Sequence, residues 1–230
     1  MPLFGAKAQT EDSRRLVTAI DPRSAAAEAY RTLRTNLEFS GLDAPIRTVV
    51  ITSAGANDGK STVLANLAVA MAESGKTVLA VDCDFRSPTL HALIGGPQSP
   101  GFTNALLGGS LDDSIHPTAI SGLSLVPTGP LPPNPAEVLG SARLDSIWNG
   151  LKERADIVLV DTPPIGLVSD AAQIAPRSDG VLLVLRSGHT RRESSQSAKR
   201  QLEQVKARIL GVVLNDVRPS TILERYTARS

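Results

Sequence analysis

An α/β fold, with a mostly parallel sheet covered by helices on both faces and a helical appendage at the N-terminus, is predicted by three features of the sequence. Apolar, β-branched runs recur at 47–53, 77–81, 156–160, 180–185 and 209–214, as strands buried on both faces do. Helical patterns lie between several of them, the arrangement of βαβ units. The first run passes through Ser53-Ala54-Gly55-Ala56-Asn57-Asp58-Gly59-Lys60-Ser61-Thr62 directly into the apolar stretch Val63–Ala72. Strand, small-residue loop and helix in that order are the setting of a phosphate-binding loop.

Composition sets the outer bounds. The 230 residues suffice for a real core, and 41% apolar with 20% charged residues fits a water-soluble globular chain. A net charge of +1 argues against a nucleic-acid binder that works through global charge. One cysteine, Cys83, excludes a disulfide framework and suits a reducing, cytoplasmic compartment. Residues 1–20 lack the apolar segment of a secretory signal, and no run reaches the length that spans a bilayer. Any membrane association is therefore expected through a partner.

The elements follow in order. Residues 1–20 are polar and unpatterned and read as a mobile arm. Asp21-Pro22-Arg23-Ser24 carries helix-start signals, and AAAEAYRTLRTNLEF after it is helical by propensity. Glu28, Arg31 and Arg34, spaced by three, share one side of that helix, either as a solvated face or as a patch for a neighbouring subunit. From 41 to 217 a single domain is predicted. Its first core helix spans 60–74 and stops at Gly75. The next strand runs into Asp82-Cys83-Asp84-Phe85-Arg86, and acids at a strand's carboxyl end sit where an open α/β sheet binds ligands. Acids two apart leave a strand on the same side, so Asp82 and Asp84 are expected to face one metal. Cys83 between them reads as a packed apolar residue. Residues 87–123 are broken by Gly and Pro, and His91 and His116 within them read as surface residues. A rigid proline loop at 129–135 precedes one helix over 136–154. The strand at 156–160 closes on Asp161-Thr162-Pro163-Pro164, an acid-terminated apolar strand of the Walker-B type. Asp170 is expected to cap a short helix, and the polar helix at 191–208 presents a solvated basic face. Residues 218–230 form a tail.

The loop implies a P-loop NTPase-type domain. Its backbone N–H groups and the helix N-terminus favour an anion at Gly55, Ala56, Asn57, Asp58, Gly59, Lys60, Ser61 and Thr62. Lys60 is expected to reach the β- and γ-phosphates of ATP and Ser61 to sit on Mg²⁺. Asp82, Asp84 and Asp161 join Ser61 around that metal, directly or through water. Ala54 stands where the common pattern has Gly, so the loop is a variant.

Taken as an ordered set, these stretches resemble the bacterial tyrosine kinases. The loop Ser53–Thr62 resembles their P-loop, Val81–Arg86 their D-x-D-x-R motif and Val160–Pro164 their Walker B. Glu28-Ala29-Tyr30-Arg31-Thr32-Leu33-Arg34 matches the E-x-x-R-x-x-R helix by which that family builds rings. Pro133–Glu137 and Gly211–Asp216 are also similar. The resemblance implies an ATP- and Mg²⁺-dependent protein-tyrosine autokinase regulating capsule and exopolysaccharide polymerisation and export. Self-assembly into a ring is implied, as are tyrosine-bearing substrates and a separate transmembrane polysaccharide co-polymerase that activates the kinase. Lys60, Asp82, Asp84 and Asp161 would carry the chemistry, with Asp82 accepting the tyrosine proton. Arg86 would steady the acidic loop and Asn215 contact the base. The family's tail carries a tyrosine cluster, whereas this chain's tail has Tyr226 alone, the expected phosphoacceptor; Tyr30 is the other tyrosine.

Two alternatives stand beside the kinase. One is a non-kinase ATPase switch of the same fold, as in partition and septum-positioning proteins. Those carry a signature lysine at the position of Gly55, which this chain lacks. The other is an interaction module in which nucleotide is structural or absent.

Overall fold

A run of apolar residues makes a strand only if a neighbour takes up its backbone hydrogen bonds, and here the five such runs lie side by side in one sheet. The computed structural model describes residues 16–42 and 44–217. Its strands are β1 (Thr48–Ser53), β2 (Val78–Asp82), β3 (His116–Pro117), β4 (Leu123–Val126), β5 (Ile157–Asp161), β6 (Gly180–Arg186) and β7 (Ile209–Asn215). They lie in the order β3-β4-β2-β5-β1-β6-β7, all parallel except the short edge strand β3. Every residue of β1, β2 and β5 is buried. Those three therefore read as unbroken apolar runs. β7 is an edge, and there Val212 and Leu214 are exposed.

Alternation along the strands feeds two core layers. Val50, Val81, Val158 and Val160 face α6 (Arg143–Arg154) and α8 (Arg192–Gln204) through Leu144, Trp148, Leu151, Ala198 and Leu202. Val49, Ile51, Ala80 and Leu159 face α3 (Lys60–Glu73) through Leu64, Leu67 and Met71. Eleven of the 14 residues of α3 are buried, as expected of a helix that is apolar all round. Its outer side is covered by α2 (Ala25–Ser40), which buries Ala27 and Leu37 and starts on a Ser24 cap accepting from the Ala27 N–H at 3.2 Å.

Several expectations need correction. The arm read over 1–20 is packed over its last residues: α1 (Val17–Ile20) buries Thr18, whose N–H and hydroxyl both donate to Asn66 Oδ1 at 3.0 and 3.1 Å. Residues 1–15 lie outside the described residues. The helix read over 136–154 is two helices, α5 (Pro135–Leu139) and α6, divided around Gly140, where the short stem ends its own hydrogen bonding. The segment read as loop-rich also contains α4 (Phe102–Leu106), whose Phe102 is fully buried and stacks 6.4 Å from Phe85. Its glycine and proline content hid a helix that tertiary burial, not propensity, maintains. The remaining helix, α7 (Asp170–Ile174), follows β5. No helix among the described residues is long and apolar enough to cross a membrane.

Candidate active site

The parallel strands all deliver their carboxyl ends to one edge, and the loops that leave them line a cleft of about 640 Å³. The sheet order fixes who stands beside whom. Along the edge come the β2 loop (Asp84, Arg86), the β5 loop (Pro163, Pro164), the β1 loop (Ala56–Thr62), and the ends of β6 and β7 (Arg186, Asn215, Asp216).

The β1 loop turns into α3 through left-handed backbone at Asn57 (φ 62°) and Gly59 (φ 89°). Asn57 tolerates that region because its side chain is short and polar, while at Gly59 a Cβ would lie 2.1 Å from Asn215 Nδ2. Asn215, expected at the base, lines the cleft and donates to the Asp58 carbonyl at 3.0 Å. Asp58 is itself buried. Its carboxylate accepts from the Gly55 N–H at 2.9 Å and from the Thr190 hydroxyl at 2.7 Å. The loop is thus tied to the β6–α8 turn and to β7. Gly55 and Asp58, expected to contact nucleotide, support the loop from behind and do not line the cleft.

Lys60, expected to reach the phosphates, lies among the acids. Its Nζ lies 2.8 Å from Asp84 Oδ2 and 3.7 Å from Asp161 Oδ2, and the Ser61 hydroxyl donates to the same Asp161 oxygen. Burial works against the ammonium, but the Asp161 and Asp84 charges outweigh it and hold its pKa above the ordinary value. Asp82 and Asp161 stand in register on adjacent strands, both fully buried. Burial, then the charge of Asp161, pushes the Asp82 carboxyl up to about 8. Burial likewise lifts Asp161 to about 6, with Lys60 and the Ser61 hydroxyl pulling the other way. Cys83 is buried, and burial followed by the Asp82 charge pushes its thiol well up, so it packs and does not attack.

The acidic trio expected around one cation does not converge as a cage. Asp82 Oδ1 accepts from the Asp84 N–H, and Oδ2 from the N–H groups of Thr89 and Leu90. Its oxygens are spent folding the loop after β2, and it stands behind the cleft wall that Asp84 lines. Among the described residues no three His, Cys, Asp or Glu side chains gather to hold a metal. One donor is nevertheless conspicuous: Asp161 Oδ1 is buried without a hydrogen-bond partner. An orphaned acidic oxygen beside a serine hydroxyl fits Mg²⁺, which takes one or two protein oxygens and completes its shell with phosphate and water.

Sequence reading took Asp170 for a helix cap and missed its partner. Asp170 is fully buried and caps no helix; its two oxygens accept hydrogen bonds from Arg86 Nε and Nη2 at 3.1 and 3.3 Å. Thr190 and the Arg186–Asp216 pair, 2.9 Å apart, were also missed. None carries a local motif, since each acquires its role through strand order. His91 and His116 line no part of the cleft. Tyr226 lies outside the described residues.

The geometry has relatives. A family described as the CobQ/CobB/MinD/ParA nucleotide binding domain matches residues 49–228. The tyrosine-protein kinase YwqD of Bacillus subtilis is 39% identical over 203 residues, covering 88% of this chain and 86% of that protein. The chain belongs to the bacterial tyrosine-protein kinases. Within that family the kinase domain of the Escherichia coli tyrosine kinase Etk is similar in structure, with a TM-score of 0.85, 33% identity, and coverage of 90% of this chain and 82% of that one. The septum site-determining protein MinD of Pyrococcus horikoshii, in complex with Mg-ADP, is a more distant likeness, at TM-score 0.65 and 26% identity over 76% of this chain and 72% of that one.

Proposed function

We propose that this chain transfers the γ-phosphoryl group of ATP to tyrosine in protein substrates, its own copies included. The convergence of Lys60, Ser61, Asp84 and Asp161 at one sheet edge, in a member of this kinase family, carries the reading. Lys60 is paired with Asp84, a carboxylate that occupies the ammonium as a phosphate oxygen would. Phosphates entering the loop compete for that ammonium and free Asp84. Ser61 and Asp161 are the residues suited to hold Mg²⁺, which when bound neutralises charge on the phosphates. The acceptor's phenolic oxygen forms a bond to the γ-phosphorus, the bond to the β–γ bridging oxygen breaks, and its electron pair leaves with ADP. The phenolic proton passes to a carboxylate. Asp84, which lines the cleft, is the acceptor the geometry favours: amides take only its Oδ1 and Lys60 faces its Oδ2, whereas Asp82 does not line the cleft and amides take both its oxygens. Asp82 positions that loop.

The wider setting is proposed from the same family: control of exopolysaccharide synthesis at the cytoplasmic face of a membrane, activation by a membrane-spanning partner, and self-assembly through Glu28, Arg31 and Arg34. The decisive experiment replaces Lys60 with Met and maps phosphopeptides after incubation with Mg·ATP, with and without a candidate activator. Loss of phosphotyrosine is expected; undiminished phosphotyrosine would refute the assignment.

One observation favours a second reading, an ATPase switch. The chain has only two tyrosines, and burial pushes the Tyr30 hydroxyl up to about 12, which makes it a poor acceptor. Steady ATP turnover without phosphotyrosine on any substrate would select it.

A further inference from the structure

The cleft is longer than the phosphate loop at its centre, and its far wall is chemically unlike the rest. On one side of the β1 loop stand the ends of β6 and β7, where Asn215, expected to contact the base, lines the cleft. On the other side, beyond Lys60, the β2 and β5 loops contribute Arg86, Leu93, Pro164, Leu167 and Val168. A nucleotide running from β7 to β1 points its γ-phosphate at this wall. Leu167 is 63% exposed within the cleft, whereas Leu93 is buried behind it. A large apolar side chain left open beside a phosphoryl site has no use in binding a phosphate.

Arg86 supplies the charge. Its side chain is about half exposed (47%), yet its guanidinium is pinned by two bonds to the fully buried Asp170 carboxylate. A forked pair of this kind fixes the plane of the guanidinium, and with Nε and one proton of Nη2 engaged the remaining donors stay available. Asp170 comes from α7, on the far side of the loop that carries Leu167 and Val168. The pair therefore braces the β2 loop against the β5 loop and holds the guanidinium's unused N–H donors beside the apolar surface.

We propose that this wall is the acceptor subsite: Leu167, Val168 and Pro164 take the ring of the incoming tyrosine, and Arg86 takes an acidic residue next to it. Asp170 is a positioning residue that acts through Arg86. The inference rests on the kinase reading. A ring placed here presents its hydroxyl toward the γ-phosphoryl group and Asp84, in the order along the sheet edge that in-line transfer requires.

The test is steady-state phosphorylation of a random glutamate–tyrosine copolymer by the full chain, with KM measured separately for copolymer and for ATP. Leu167→Asp, an exposed change, and Arg86→Gln should each raise the copolymer KM about tenfold or more while the ATP KM moves less than about threefold. Asp170→Asn should match Arg86→Gln, and the two together should cost no more than either alone, since they remove one interaction. Arg86→Lys, which keeps charge without the fork, should restore part of the loss. Should wild-type protein transfer phosphate and both Leu167→Asp and Arg86→Gln keep its copolymer KM, the subsite is elsewhere. A parallel rise in ATP KM would also overturn the inference, making this wall part of the nucleotide site. If wild-type protein hydrolyses ATP and phosphorylates no tyrosine even with a candidate activator present, the kinase reading itself fails and takes the subsite with it.

Discussion

Gly59 is held by two constraints at once, a left-handed backbone and an amide nitrogen where its Cβ would be. Gly59→Ala should cost about 1–2 kcal/mol from backbone conformation alone, with the Asn215 clash added. The denaturation midpoint should fall, and Mg·ADP affinity by calorimetry should drop about tenfold or more, because the loop amides are displaced together. Retained affinity would show that the loop tolerates another shape. At this scale the sequence was partly legible. Lys60, Ser61, Asp84 and Asp161 could be read because a short-range motif prescribes them. Asp82 was legible as an acid but not as a loop-folding one, since its partners are amides seven and eight residues on. Asp170 was legible only as a helix cap, and not as the partner of Arg86, which lies 84 residues away.

The helix α2 separates two roles that its sequence spacing merged. Arg34 donates to the Ala70 carbonyl at 2.9 Å and so fastens α2 to α3. Arg31 is held within the chain by Pro22 O at 2.6 Å and Glu28 at 3.2 Å. Glu28 is the exposed member. Replacing all three residues would therefore confound assembly with folding. Glu28→Ala should change stability by no more than about 0.5 kcal/mol and still reduce the particle mass seen by light scattering. Arg34→Ala should lose about 1–3 kcal/mol in chemical denaturation, whatever the assembly state. An unaltered mass for Glu28→Ala would return that residue to a solvated face. Periodicity marked the charged side of this helix correctly, but periodicity carries no information about which neighbour lies across it.

At the scale of the whole molecule, folding places two acids side by side in the driest part of the sheet edge, and stability should record it. In the unfolded chain both titrate near the ordinary aspartate value of 3.8; in the native protein Asp161 is raised to about 6 and Asp82 to about 8. Between those values the native state keeps protons that the unfolded chain has released, so the unfolding free energy declines as pH rises. Below the ordinary value both states are protonated and the penalty is absent; above about 8 it is fully developed. The melting temperature of nucleotide-free protein should therefore fall between about pH 5 and about pH 8, against the rise common where paired carboxylates dominate acid unfolding. Mg·ADP should reverse the trend. A cation beside Asp161 favours its ionised form, so binding expels a proton and the gain in melting temperature should be larger near pH 8 than near pH 6. Isothermal titration of Mg·ADP in two buffers of different ionisation enthalpy would detect that proton. A flat profile without nucleotide would mean that the Asp82–Asp161 pair is already ionised and balanced in the fold, and that nucleotide binding meets a preformed charge.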